Sequence, residues 1–143
     1  MKRFALLLTL LALMAACTHR SEPGWKLVWE EEFDGESLDP AIWSRIPRGT
    51  ADWNNYHSSD DRCFALRDGR LVLRGIVNDD RAADTAAYLT GGVETRGKHA
   101  FDGGRIEIRA KLQGARGAWP AFWLMPFDEE HEGWPRCGEI DIM

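Results

Sequence analysis

Eight residues in the second half of the chain alternate without a fault. Arg105, Glu107, Arg109 and Lys111 are charged, and Ile106, Ile108, Ala110 and Leu112 between them are apolar. A period of two puts all four apolar side chains on one face of an extended strand and all four charges on the other. Coiled into a helix, the same residues would scatter both classes around the axis. The pattern therefore predicts a strand of an antiparallel sheet, with one face on a core and one toward water or a cleft.

The rest of the chain agrees with that class. Leu27, Trp29 and Phe33 keep one parity in residues 25–33, the mark of a half-buried strand, and Asp34-Gly35 marks a turn after it. Residues 37–61 are irregular, with Pro40, Pro47, Gly49 and an aromatic-polar knot, Trp53-Asn54-Asn55-Tyr56. Asp68-Gly69 predicts a turn into a strand over residues 70–74. Residues 78–87 read as a polar loop, and 88–98 as a glycine-interrupted extended segment. No amphipathic helix of useful length follows the N-terminal segment. Short strands separated by turns at roughly ten-residue intervals predict an all-β sandwich.

The N-terminus reads as an export signal rather than as part of the fold. Lys2 and Arg3 precede an apolar run over residues 4–16 that is too short to span a bilayer as a mature helix. Leu13-Met14-Ala15-Ala16-Cys17 resembles a bacterial lipobox, in which the cysteine becomes the lipidated first residue of the mature protein. The expected organisation is a signal at 1–16, a tether at 17–24 and a folded part from 25. The expected location is exported and anchored to a bacterial membrane through lipid on Cys17, at the cell surface or in the periplasm. Plain secretion with cleavage near Ala16 is the alternative.

Removing Lys2 and Arg3 makes a chain with net charge −5 more acidic still. An acidic chain without a basic cluster is a poor partner for nucleic acid, and none is expected. Cys63 and Cys137 could pair in an exported protein or remain two separate thiols; sequence leaves both open. No Cys/His spacing matches a zinc site, with His57, His99 and His131 scattered, so no metal is assigned.

Chemistry concentrates in Gly138-Glu139-Ile140-Asp141-Ile142-Met143. On a strand, Glu139 and Asp141 share one face and both isoleucines the other. Carboxylates so close repel, and such a pair tends to share a proton or divide into different roles. Upstream, Trp119 and Trp123 lie in the apolar run from Gly117 to Pro126, with Trp134-Pro135 shortly after. Tryptophan faces stack on sugar rings, although large aromatics also serve a sandwich by burial alone.

In series these stretches resemble glycoside hydrolase family 16, in its laminarinase-like branch. The chain carries five residues of the hallmark Glu-Ile-Asp-Ile-Met-Glu, at Glu139 to Met143. It also carries the branch's opening (Trp25 to Phe33) and its Asp-Gly-x-Leu-Val-Leu strand (Asp68 to Leu73). Gly104 to Leu112, Trp119 to Pro126 and Gly133 to Pro135 follow in the family's order. The resemblance implies a jelly-roll β-sandwich of antiparallel strands, of which 25–143 is the N-terminal portion. It implies a retaining endo-β-glucanase acting on β-1,3 or mixed β-1,3/1,4 glucans, with no catalytic cofactor. Glu139 would be the nucleophile and Asp141 the residue that tunes it. Trp119, Trp123, Trp134, either Asn54 or Asn55, and Glu107 would meet sugar, an Arg-Glu ladder being the competing reading for Glu107.

In that motif the acid/base is the glutamate after Met143, re-aimed by a one-residue bulge. The sequence ends at Met143, so the expectation is that the chain as written cannot turn over and that half a sandwich aggregates or stays partly unfolded. Two departures bear on specificity: Val93 stands where many laminarinases carry arginine, and Cys63 where relatives often carry asparagine. Some family members hold a structural calcium, for which this sequence offers no support. Hydrolysis of an agar- or carrageenan-like galactan, and a surface glycan-binding protein without catalysis, are the rival functions.

Overall fold

The computed structural model describes residues 24–127 and 133–143. The export signal, Cys17 and His131 lie outside the described residues. Two units are distinguished, residues 1–31 and 32–143, and the described part of the first (24–31) contains no assigned strand or helix.

The second unit is built of short antiparallel ladders. In chain order its strands are β1 (Ser44–Arg45), β2 (Phe64–Leu66), β3 (Leu71–Leu73), β4 (Gly75–Val77), β5 (Tyr88–Thr90), β6 (Val93–Glu94), β7 (Trp123–Leu124) and β8 (Ile140–Asp141). They pair as β1 with β6, β2 with β3, β4 with β5 and β7 with β8. The only helical element among the described residues is a 3-10 turn at Asp61–Cys63, capped by the Asp60 carboxylate, which accepts from the Arg62 N–H at 2.8 Å.

The β2–β3 hairpin shows how sequence sets register. Asp68 and Gly69 both take positive φ, 52° and 62°, and the Arg67 N–H donates to the Arg70 carbonyl across them. Two central residues with positive φ make a turn whose twist matches the flanking strands, and Asp-Gly is a favoured pair for it. The turn fixes Leu66 opposite Leu71 and Phe64 opposite Leu73. Residues 71–77 then change partner at Arg74: its N–H donates to Cys63 O (2.9 Å) and its carbonyl accepts from Gly91 N (3.0 Å). Beyond that point β4 pairs with β5, Ile76 opposite Leu89.

The core sits where these ladders meet. Cys63, Phe64 and Leu89 are buried, with Ile76, Ala86 and Val93 packed against them. The Arg45 guanidinium lies over the Phe64 ring at 4.3 Å and reaches Asp61 at 2.8 Å, closing one side of the core with a charge that keeps its partner. The loop from β4 to β5 is tied by Asn78, whose buried amide donates to Asp84 O and Ala86 O.

Two expected strands are corrected. Residues 105–112 join no ladder: Ile106, Ile108 and Leu112 are 39–46% exposed. Residues 25–33 likewise carry no assigned strand, with Trp25 and Leu27 more than half exposed. Alternation fixes which side chains share a face; it does not supply the neighbouring backbone that satisfies a strand's N–H and C=O groups. Neither segment carries an assigned strand.

Candidate active site

The carboxylate strand is delivered by a pair of tight turns. Arg136 N donates to Gly133 O and Gly138 N to Pro135 O, both at 3.1 Å, through a segment with a cis Trp134–Pro135 bond. Gly138 takes φ 73°, a conformation in which a side chain is strained, and the chain leaves it as Glu139 and β8. In the β7–β8 ladder Trp123 stands opposite Asp141, and Leu124 opposite Ile140. Directly opposed residues project to the same side, so Trp123 and Asp141 share a face, and by parity Glu139 joins them.

Past Asp141 the ladder departs from regular pairing. The Phe122 carbonyl accepts from both Ile142 N (2.8 Å) and Met143 N (3.0 Å), while Phe122 N donates to Met143 O (2.9 Å). Two residues on one strand thus oppose one on its partner, which is a β-bulge. The extra residue resets the alternation, so a side chain directly after Met143 would return to the Glu139–Asp141 face.

Of the three tryptophans read as sugar platforms, Trp123 is half-buried and locked by ring contacts. Its ring meets Trp53 edge-on at 5.2 Å, and Trp53 meets His57 edge-on at 5.8 Å. Trp119 and Trp134 are 72% and 66% exposed. Asn54 and Asn55 lie in the turn over residues 52–56, where each side-chain oxygen is buried without a hydrogen-bond partner. Glu107 forms an ion pair with Arg105, the ladder arrangement, on the 105–112 segment, which carries no assigned strand. Cys63 is buried and Cys137 half-buried, and both are free thiols. No group of three or more His, Cys, Asp or Glu able to hold a metal occurs among the described residues.

What sequence reading left unused is the set of residues that adjoins Trp123 through Trp53. His57 is buried, and burial pushes its imidazole below the ordinary histidine range. The Arg48 Nε donates to the His57 carbonyl (2.8 Å), and the Arg48 guanidinium grips the Asp84 carboxylate through two bonds of 2.7 Å. That bidentate grip holds the Asp84 carboxyl well down, at about 2. Arg48 and Asp84 are 36 positions apart, so no local spacing announces the pair.

The described ladders are antiparallel, and one of them presents Glu139, Asp141 and the half-buried Trp123 on one face. Known proteins resemble it over most of its length. No family model matches the chain. It is 40% identical to a keratan-sulfate endo-1,4-beta-galactosidase of Sphingobacterium multivorum over 83% of this chain and 28% of that protein. It is 34% identical to a beta-glucanase of Rhodothermus marinus over the whole of this chain and 52% of that protein. The crystal structure of a laminarinase from Flavobacterium sp. UMI-01 superposes with a TM-score of 0.70 at 33% identity, over 82% of this chain and 51% of that one. The chain is thus similar to enzymes of the kind that glycoside hydrolase family 16 contains, and its fold is the jelly-roll β-sandwich of the laminarinase over the part matched. It spans about half the length of that laminarinase and of the beta-glucanase, and less of the galactosidase.

Proposed function

We propose that the protein carrying this chain is a retaining endo-β-glucanase acting on β-1,3 or mixed β-1,3/1,4 glucans, and that β8 is its nucleophile strand. Glu139 attacks the anomeric carbon, and Asp141 beside it on the same face tunes that carboxylate by repulsion and hydrogen bonding. Trp123 opposite Asp141 stacks on the sugar bound there, with Trp119, Trp134, Glu107 and Asn54 or Asn55 as further contacts.

The observation that carries the reading is the bulge opposite Phe122. Retaining hydrolysis needs two carboxyls about 5–5.5 Å apart, and regular alternation would aim a carboxylate following Met143 away from Glu139. The bulge aims that position back. The likenesses to a beta-glucanase and a laminarinase support the substrate class. Export and lipid attachment at Cys17 complete the proposal and rest on the N-terminal sequence alone.

The test is Glu139→Gln assayed on laminarin in the protein that contains this chain. Activity falls by more than roughly a thousandfold, because the covalent step loses its nucleophile. The first-formed anomer of the wild-type product, followed by NMR, is β. An unchanged rate in the variant, or an α product, overturns the assignment. A second reading, galactan hydrolysis, is favoured by the 40% identity to the keratan-sulfate endo-galactosidase. Cleavage of keratan sulfate without cleavage of laminarin selects it.

A further inference from the structure

We propose that His57 is a positioning residue: seated against Gly92 and edge-on to Trp53, it holds Trp53, and through it Trp123, in place across from Asp141. The inference rests on the reading of β7–β8 as the sugar-cleaving strand pair.

The ring packs against Gly92 and Trp53, and the backbone that carries it is held by hydrogen bonds. A Cβ added to Gly92 would stand 2.3 Å from His57 Nε2 and 2.7 Å from its Cδ2, so the imidazole occupies the room that a side chain there would take. The backbone of His57 is locked by neighbours. Its N–H donates to Asn54 O, and Thr90 N donates to Tyr56 O while Ser58 N donates to Thr90 O. Its carbonyl is held by Arg48, itself clamped to Asp84. From this fixed ring the edge-on contacts run outward to Trp53 and on to Trp123.

The His57 ring is kept in this seat at a cost. Its Nδ1 is buried with no hydrogen-bond partner, a cost that an apolar side chain of similar size avoids. What a flat ring supplies, and a branched aliphatic does not, is an edge presented to an indole in defined geometry. An indole already held by a neighbouring ring stacks on a sugar without first losing its own rotamer freedom, which favours substrate binding in ground state and transition state alike.

The experiment compares His57→Leu, His57→Phe and Gly92→Ala in the protein that contains this chain. Its readouts are the Trp123 indole N–H resonance, assigned by its loss in Trp123→Phe, and the kinetics on laminarin and keratan sulfate. His57→Leu shifts the Trp123 resonance and raises KM about 2- to 10-fold, the range expected for loss of one aromatic pair, with kcat within about twofold. His57→Phe restores both. Gly92→Ala, which displaces the ring without deleting it, reproduces the His57→Leu effects and keeps the test open if that variant does not fold. Adding His57→Leu to Trp53→Ala produces no further change, because the path runs through Trp53.

An unmoved Trp123 resonance in folded His57→Leu or Gly92→Ala overturns the proposal, as does a fall in kcat at constant KM. If wild type cleaves neither polysaccharide, the functional reading fails, and the resonance still decides whether His57 positions Trp123.

Discussion

Gly91→Ala is the substitution whose cost the structure specifies best. Gly91 follows β5 and passes directly over the core, so an alanine Cβ there would lie 2.6 Å from the Cys63 carbonyl oxygen and 3.2 Å from Phe64 Cε1. Neither obstacle yields easily. The Cys63 carbonyl is backbone already receiving the Arg74 N–H at 2.9 Å, and Phe64 is buried beneath Arg45. Gly91 is not among the positive-φ glycines, so the penalty is steric rather than conformational. Overpacking of this kind costs about 1–3 kcal/mol, from which the stiffer unfolded chain returns about 0.4–1 kcal/mol. A net loss of about 1–2 kcal/mol lowers Tm by roughly 2–15 °C in the protein that contains this chain, depending on the size of its cooperative unit. Gly114→Ala is the matched control, since a Cβ there meets nothing within 4 Å and no positive φ opposes it. Thermal unfolding by circular dichroism should show Gly91→Ala melting well below wild type and Gly114→Ala level with it or slightly above. Equal melting of the two variants would refute the packing argument.

Three further outcomes follow from the same geometry. Asp84, held at about 2 by Arg48, stabilises the fold at any pH above its ordinary carboxylate range and loses that contribution as pH falls through about 2. Asp84→Asn should therefore melt lower than wild type at neutral pH, with the gap closing in acid. His57 has the opposite origin: burial favours its neutral form, so the unfolded chain takes up the proton first as pH drops below about 6.5, and stability falls from there downward. His57→Phe should flatten that part of the stability profile. Iodoacetamide should label Cys137 in the native protein and reach Cys63, fully buried and with its thiol pushed up chiefly by burial, only after denaturation; mass spectrometry distinguishes the two sites.

Local chemistry was enough to read much of this chain. Asp68-Gly69 announced its hairpin because two positive φ values are a property of those two residues. The parity of Glu139 and Asp141 follows from the two-residue repeat of any strand, and the family motif carried the bulge that the Phe122 carbonyl displays. Partnership was not legible. The faultless alternation at 105–112 names the faces of a strand, yet its backbone joins no ladder, because hydrogen bonds to a neighbour depend on where that neighbour lies. The tertiary structure alone revealed that Arg48 grips Asp84, that Gly92 makes room for His57, and that Trp53 meets Trp123 edge-on. Those contacts join residues tens of positions apart, and sequence periodicity carries no information about distances the chain closes only by folding.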